Sequence, residues 1–126
     1  SDTVIAWCDA NRLQQVLTNL VANAIDAMSN ANPRTLRLHP VVEGDCAVLR
    51  VSDSGQGMSA EALQRLFEPF FSTKTLGGGL GLGLAISLDI VREAGGTLSA
   101  DNRPEGGAVF TLSLPQPPAD LNKDSL

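Results

Sequence analysis

Two asparagines one helical turn apart are the first residues whose type and spacing suggest chemistry. Asn19 and Asn23 fall on a polar ridge of a predicted helix, together with Arg12, Gln15 and Asp26. A surface selected only for helix propensity would favour Glu and Lys, because Asn is a mediocre helix former. Neutral amide oxygens suit Mg²⁺, which takes few protein ligands and relies on substrate phosphates for the rest. The ridge is therefore either an ordinary solvated face or one wall of a site for Mg²⁺ and phosphate.

A second group with chemical potential is the segment Asp53-Ser-Gly55-Gln-Gly57-Met58, which follows a predicted strand. Tight turns use the same residue types, so a purely structural turn is the alternative interpretation. In the functional interpretation, the Asp53 carboxylate accepts a hydrogen bond from an exocyclic amino group. Gly55 and Gly57 would let the main chain pass close to a flat purine ring.

Five glycines occupy the seven positions from Gly77 to Gly83 and lead directly into another predicted helix. Such a run is entropically costly as structural material. Its main-chain N–H groups at a helix N-terminus, however, favour an anion. A flexible linker is the alternative, but a linker would not be interleaved with Leu80, Leu82 and Leu84. The run therefore predicts a way for an acidic protein to hold a triphosphate.

The loop between these two segments carries three of the four phenylalanines and the first lysine of the chain, Lys74. We expect the phenylalanines to give the loop a small apolar anchor of its own, so that it moves as a unit. Lys74 is the only lysine before residue 123. Its position in a glycine-bounded loop predicts that it closes on a γ-phosphate.

The elements that must position these groups can be predicted from periodicity. Apolar residues three and four apart predict a helix over about residues 10–28, with Asp9 as its N-cap. A second helix is predicted from residue 81 or 82 to residue 94, where two glycines stop it. Two β-hairpins are predicted, over 36–39 with 47–53 and over 98–102 with 108–114. Shorter predictions are an edge strand at 4–7, a helical stretch at 61–66 and a frayed tail at 117–126.

Length and composition limit the possible functions. A chain of 126 residues with 43% hydrophobic and 18% charged residues predicts one globular domain, over residues 1–116. A net charge of −5 and an aromatic content of 4% argue against nucleic acid or an anionic membrane as a partner. Cys8 and Cys46 have neither metal-site spacing nor the density of a disulfide scaffold, which predicts inert buried thiols. No apolar run reaches the roughly 20 residues that cross a bilayer.

Four ordered motifs resemble the ATP-binding catalytic domain of two-component sensor histidine kinases. The segment from Asn19 to Asn23 resembles the N box of that family, and Asp53-x-Gly-x-Gly57 resembles its G1 box. Phe67-Glu-Pro-Phe70 resembles the F box, and Gly79-x-Gly81-x-Gly83 resembles the G2 box. The resemblance extends from about residue 8 to residue 115. Details such as the Phe-Phe-Ser-Thr-Lys74 tail are most similar to the nitrogen-regulation and C4-dicarboxylate sensor branch.

The resemblance implies an α+β fold, a two-layer α/β sandwich known as the Bergerat ATP-binding fold. Its sheet would be mixed but mostly antiparallel, with helices on one face and a mobile lid over ATP. The resemblance implies Asn23 as the Mg²⁺ ligand, Asp53 as the acceptor for the adenine amino group, and Asn19 and Lys74 as catalytic residues. It places the following residues at the nucleotide: Asn19, Asn23, Asp26, Asp53, Gly55, Gly57, Met58, Phe70, Lys74, Gly79, Leu80, Gly81, Leu82 and Gly83.

This sequence departs from the family pattern at several positions. Many relatives have Lys or Arg where Asp26 stands, so more of the phosphate binding should fall on Lys74 and Arg12. The family often has Thr where Ala108 stands, near the adenine. Hydrolysing members of the wider superfamily have a Glu general base at the position of Asn19. A neutral amide cannot take a proton from water, which favours phosphoryl transfer over hydrolysis.

The resemblance implies a function in two-component signalling. The domain would bind Mg-ATP and transfer the γ-phosphoryl group to a histidine on an upstream dimerisation domain, which then supplies a response regulator. His39 is interpreted as an exposed strand residue without a catalytic role. The alternatives are an ATP-hydrolysing conformational switch like Hsp90 or MutL, and a degenerate nucleotide-sensing or interaction module. We expect this chain to be a monomeric cytoplasmic domain of a homodimeric protein anchored in the bacterial inner membrane.

Overall fold

The first helix forms where the apolar spacing predicts it. In the computed structural model, which describes residues 4–71 and 82–117, helix α1 comprises Ala10–Ala27. The Asp9 side chain caps it by accepting a hydrogen bond from the N–H of Arg12 at 3.0 Å. Val16, Leu20 and Ala24 are buried on its inner face, so the polar ridge lies away from the core.

Two further helices complete the helical layer. Helix α2 comprises Ala60–Arg65 and is capped by the Ser59 side chain, which accepts from the N–H of Ala62. Helix α3 comprises Gly83–Glu93, and its N-cap residue, Leu82, offers no side-chain hydrogen bond. Both helices agree with the predicted ranges to within two residues. In the part of the chain that the structure describes, no helix is long and apolar enough to cross a bilayer.

Four strands form one sheet. Strands β1 (Leu36–Glu43) and β2 (Cys46–Asp53) form the first hairpin, and β3 (Thr97–Asn102) and β4 (Ala108–Pro115) form the second. The strand order is β1-β2-β4-β3, and all three pairings among the described residues are antiparallel. Both hairpins are therefore confirmed, whereas the mixed sheet is corrected to an antiparallel one.

The edge strand predicted at residues 4–7 is wrong. The structure assigns no strand there, and the segment is joined to the sheet by one backbone bond, from the Trp7 N–H to the Pro115 carbonyl at 2.7 Å. The pairing of β3 with β4 begins at Thr97 and Ser113, so the last two residues of β4 have no partner in β3. Trp7 lies beside this unpaired end of β4. A single bond is too little to form a ladder.

The core lies between the helices and one face of the sheet. Val51 on β2 and Phe110 on β4 are directly paired, and both are almost completely buried against Leu20 of α1 and Val91 of α3. Since alternate strand residues point to opposite faces, residues such as Arg37 and Ser52 lie on the other side, which we call the outer face. In residues 4–71 and 82–117 the helices thus cover one face of the sheet, as the two-layer prediction requires.

The phenylalanines of the loop after α2 do not form a separate anchor. The Phe67 ring packs edge-on against Phe110 of the main core, with 6.4 Å between ring centroids. The Phe71 ring lies under the Arg65 guanidinium at 4.7 Å. Phe70 is 72% exposed and has a φ of 68°, a strained conformation for an aromatic residue. The start of this loop is therefore fastened to the domain core.

Candidate functional site

The polar ridge of α1 faces α3 at Asn19. The Asn19 Nδ2 donates one hydrogen bond to the Gly83 carbonyl and another to the Ser87 Oγ, each at 3.1 Å. Ser87 is fully buried. Both hydrogens of the amide are thus used in joining α1 to the first turn of α3, and Oδ1 is the atom of Asn19 that can act as a ligand.

Asp53 stands at the end of β2, near the C-terminal end of α1. Its side chain is 2% exposed, and Oδ1 accepts from the N–H groups of Gly55 at 2.8 Å and Ala108 at 3.3 Å. The Asp53 main-chain carbonyl accepts from the Arg103 Nη1 at 2.8 Å. No described residue donates to Oδ2, so this oxygen can accept a hydrogen bond from a ligand.

Asn102, at the end of β3, holds the loop that follows Asp53. Its Oδ1 accepts from the N–H of Met58 at 2.8 Å, and its Nδ2 donates to the Met58 carbonyl at 2.7 Å. One side-chain amide thus reproduces the pairing of a β-ladder and fixes the path of the loop. Met58 is partly buried and packs against the core.

Glycines are required where this loop approaches its neighbours. A Cβ on Gly55 would collide with the Ala27 carbonyl at the end of α1. Gly107 has a φ of 85°, and a Cβ there would collide with the Asp53 carbonyl. The space around Asp53 is therefore set by main-chain contacts that no larger residue permits.

Asn23 and Asp26 lie on α1 between these two regions. Asn23 is half-buried and Asp26 is exposed. From Asn19 to Ala27 the helix rises about 12 Å, at 1.5 Å per residue. This section of α1 therefore runs from the N-terminus of α3 to the loop of Asp53, and Asn23 and Asp26 line the path between them.

Leu82 and Gly83 stand where α3 begins. Because Leu82 gives no side-chain cap, no side-chain oxygen at the N-cap satisfies the first N–H groups of α3. Gly83 lies beside Asn19, with 3.6 Å between the Cγ of Asn19 and a Cβ built on Gly83. Lys74, Gly79, Leu80 and Gly81 lie outside the described residues.

Within the described residues, no hydrogen bond or ion pair joins the Arg12 or Phe70 side chain to this group. Arg12 Nη1 forms an ion pair with Glu93 Oε2 at 2.7 Å, between the start of α1 and the end of α3. It is seven residues, or about 10 Å of helix, before Asn19. The expectation that Arg12 contributes to phosphate binding is not supported by this arrangement.

The sequence did not single out three residues of the arrangement, namely Ser87, Asn102 and Arg103. Their contacts join positions 68, 44 and 50 residues apart in the chain, respectively. The signal that points to this region is the Gly-Gly-Ala turn before β4, where the family often has Thr in place of Ala108. Its structural role is the Ala108 N–H, which any residue except Pro would supply.

The surroundings of Cys8 raise the pKa of its thiol. Burial raises its pKa, and the neighbouring Asp9 carboxylate raises it further. Cys8 and Cys46 are both half-buried and form no disulfide. The sequence predicts buried thiols, but neither thiol is fully buried, and the inertness of both stays a prediction.

Comparisons with known proteins agree on one family. A family profile described as "Histidine kinase-, DNA gyrase B-, and HSP90-like ATPase" matches residues 8–118. The sensor histidine kinase ZraS of Klebsiella oxytoca is 46% identical over 107 residues, which cover 85% of this chain and 22% of ZraS. The C4-dicarboxylate transport sensor protein DctB of Pseudomonas aeruginosa is 45% identical over 111 residues, covering 86% and 18%, respectively.

Solved structures give the same result. The nucleotide-free catalytic domain of the histidine kinase ThkA has a TM-score of 0.76 at 34% identity, over 86% of this chain and 69% of that one. Full-length ShkA in complex with AMPPNP has a TM-score of 0.76 at 30% identity, over 94% of this chain and 24% of that one. The chain spans about a fifth of the length of the curated relatives named above.

Proposed function

Because the chain belongs to the histidine kinase-, DNA gyrase B- and HSP90-like ATPase family, we propose that it is the ATP-binding catalytic domain of a sensor histidine kinase. It binds ATP and donates the γ-phosphoryl group to a histidine on a dimerisation domain outside this chain. The phosphohistidine then supplies a response regulator in two-component signalling. The observation that carries the proposal is the buried Asp53 carboxylate, oriented by main-chain hydrogen bonds beside the end of α1.

The base end of the nucleotide is assigned to Asp53. Oδ1 is occupied by the N–H groups of Gly55 and Ala108, so Oδ2 accepts from the adenine amino group. Met58, held by Asn102, gives the base an apolar neighbour. Guanine has a carbonyl where adenine has its amino group. A carbonyl oxygen facing the Asp53 carboxylate would place two acceptors together with no hydrogen between them, so guanine should bind less well.

The phosphate end is assigned to the section of α1 between Asn19 and Asp26 and to the start of α3. Mg²⁺ fits the donor set, because the Asn23 and Asn19 amide oxygens are hard, neutral ligands that leave coordination positions for phosphate oxygens. When bound, the ion neutralises charge on the phosphates. The described residues contain no cluster of three or more His, Cys, Asp or Glu that would hold a metal without a nucleotide.

The chain's own residues bind and orient the phosphates of the nucleotide. The uncapped N-terminus of α3 presents N–H groups to the phosphates, and Asn19 holds this terminus against α1. Lys74 and the G2 residues Gly79, Leu80 and Gly81 are assigned to the γ-phosphate on the resemblance of their motifs. Asp26 and the Phe70 of the F box stay in the proposed site on the same ground.

Asn19 decides between transfer and hydrolysis. Its Nδ2 is bonded to Gly83 and Ser87, and its Oδ1 has no proton affinity at neutral pH that would activate a water. We therefore assign phosphoryl transfer to a protein acceptor. The curated relatives named above are sensor proteins, which gives no support to an Hsp90-like or MutL-like switch.

The remaining partners follow from the proposed role. We assign this chain to a monomeric domain in the cytoplasm of a homodimeric, membrane-anchored kinase. Its ligands are ATP and ADP, and its protein partners are the histidine-bearing domain and the response regulator. Residues 1–116 would form the domain, with 117–126 as a tail.

Calorimetric titration of ATP with Mg²⁺ tests the proposal. We expect wild-type protein to bind, and Asp53→Asn to lose at least about tenfold in affinity, because the amide directs a donor at the adenine amino group. Asp45→Asn is the matched control, since Asp45 is exposed in the β1–β2 turn at the other end of β2. Equal affinity for wild type and Asp53→Asn would contradict the assignment.

A further inference from the structure

A cavity of about 410 Å³ lies next to Asp53 but is not lined by its carboxylate. Its walls come from the start of β1, the loop after β2 and the β3–β4 turn. They include Thr35, Arg37, Ser54, Arg103 and Glu105. The volume is within the range of small-molecule sites in proteins.

The register of the sheet separates this cavity from the nucleotide site. Arg37 pairs with Ser52, so its side chain belongs to the outer face. Asp53 pairs with Leu36, and its carboxylate points to the face that the helices cover. The two sites therefore lie on opposite sides of the end of β2, and Gly55, which also lines the cavity, stands at their boundary.

The cavity is cationic in a protein of net charge −5. Two guanidinium groups line it, and the only carboxylate among its described lining residues is that of Glu105. Arg103 Nη2 lies 3.1 Å from Glu105 Oε2, and the Glu105 side chain is 64% exposed. The Arg103 side chain is only 21% exposed, so the solvent-exposed Glu105 is the partner that an external anion can displace.

The Glu105 carboxylate thus lies where an external anion could contact Arg103, and it leaves the cavity open. Its own backbone N–H lowers the pKa of the Glu105 carboxyl, followed by Arg103 and, more weakly, Arg37. Arg103 contacts the Glu105 carboxylate directly, while Arg37 lines the same cavity. The Ser54 hydroxyl is not a second ligand, because it donates to the Pro33 carbonyl and accepts from the Thr35 N–H, each at 2.8 Å.

We propose that this cavity binds a small carboxylate anion, which replaces Glu105 at Arg103 and is also held by Arg37 on the cavity wall. The fork of N–H groups on each guanidinium matches the two coplanar oxygens of a carboxylate. The size of the cavity admits a dicarboxylate, with one carboxylate on each arginine.

The site is coupled to Asp53 through Arg103, a part of the proposal that rests on the proposed function. Arg103 Nη1 donates to the Asp53 carbonyl at 2.8 Å while Nη2 contacts Glu105. An external anion draws the guanidinium toward the cavity and weakens the bond to Asp53. Binding of the anion therefore weakens binding of the nucleotide.

Titration with malonate at constant ionic strength, followed by NMR on the amides of Ser54 and Gly106, tests the anion site. We expect millimolar binding to wild type, at least about threefold tighter binding to Glu105→Gln, and at least about fivefold weaker binding to Arg37→Gln. Arg92→Gln, which removes an exposed arginine of α3, is the control and should bind malonate like wild type.

Three results would overturn the anion site. The first is a malonate affinity that does not differ between wild type and Glu105→Gln. The second is an equal loss of malonate affinity in Arg37→Gln and Arg92→Gln. The third is amide chemical-shift changes of the same size when sodium chloride replaces malonate. Inorganic phosphate is run in parallel, and tighter binding of phosphate than of malonate would overturn the assignment to carboxylates.

The coupling is measured as the affinity for ATP with and without saturating malonate. We expect a loss of about threefold in wild type, a smaller loss in Arg37→Gln at a malonate concentration that half-saturates wild type, and the same threefold factor when malonate is titrated into wild type at saturating ATP. Unchanged ATP affinity in wild type would overturn the coupling. A protein that binds no ATP at all would overturn the proposed function, while the malonate titration would still decide the anion site.

Discussion

At the scale of the residue, Asp53 depends on segments that are far apart in the sequence. The loop that follows it and the start of β4 both donate to Oδ1, and Arg103 donates to the main-chain oxygen. These bonds fix the direction of the carboxylate before a ligand arrives. A preorganised acceptor costs less ordering entropy on binding than a mobile one.

Gly107 is the residue whose replacement tests this arrangement most directly. We expect Gly107→Ala to lower the free energy of unfolding by about 2–4 kcal/mol. Alanine at this position would have to adopt a left-handed backbone conformation, and its Cβ would collide with the Asp53 carbonyl. Gly44→Ala is the matched control, since Gly44 has a φ of 61° but nothing within 4 Å of a Cβ. It should cost only about 1–2 kcal/mol. Urea denaturation that gives equal losses for the two variants would contradict the close contact.

Asn23 should act through the metal rather than through the nucleotide itself. We expect Asn23→Ala to weaken binding of Mg-ATP by about 1–3 kcal/mol and binding of ATP in EDTA by much less, because a neutral amide oxygen serves the cation. Gln14→Ala, at an exposed position of the same helix, provides the baseline. An equal loss with and without Mg²⁺ in calorimetry would give Asn23 another role.

At the scale of the element, α1 connects the two ends of the proposed site. Its C-terminal turn is packed so closely on Gly55 that no side chain fits there, and Asn19 joins it to α3. A third link is the exposed ion pair of Arg12 with Glu93, which contributes little by itself. The half-buried amide of Asn19, bonded to the buried Ser87, is therefore the main polar connection between the two helices among the described residues.

Removing the hydroxyl group that this amide contacts should loosen α3. Ser87 is fully buried, so we expect Ser87→Ala to lower the free energy of unfolding by about 1–2 kcal/mol. Ser99→Ala on the exposed side of β3 should change it by less than about 0.5 kcal/mol. The comparison uses urea denaturation at neutral pH, and a Ser87→Ala loss no larger than that of Ser99→Ala would show that the bond is dispensable.

Elements with a strong period were predictable, and contacts across the fold were not. Helix α1 and both hairpins followed from spacing and turn residues, because a half-buried element needs its apolar residues on one side. The apolar run at residues 4–7 has the composition of a strand but pairs through one bond only. Ser87 and Asn102 could not be found, since their partners lie 68 and 44 residues away and nothing in the local sequence marks them.

At the scale of the whole molecule, a chain of net charge −5 is proposed to bind a triphosphate that is itself an anion. Long-range attraction cannot drive this binding, because the overall field repels an anion. The binding energy must come from short-range donors, namely the N–H groups of α3 and the metal ion that the nucleotide brings. Binding should therefore depend strongly on Mg²⁺ and only weakly on added monovalent salt.

The isolated chain should bind ATP without consuming it. No general base is available at Asn19, and the proposed histidine acceptor is on another domain, so release of phosphate should stay at the rate of free Mg-ATP. A coupled phosphate assay at saturating ATP checks this expectation. Steady hydrolysis that Asn19→Ala abolishes would instead favour the ATP-hydrolysing switch.

The β1–β2 turn offers a practical use of the architecture. Glu43, Gly44 and Asp45 are exposed, and about 26 Å of strand separates Asp45 from Asp53. A dye or a surface tether attached at this turn would report on the domain without entering the cleft or the cationic cavity. Immobilised in this orientation, the domain would present both ligand sites to the flowing solution of a biosensor.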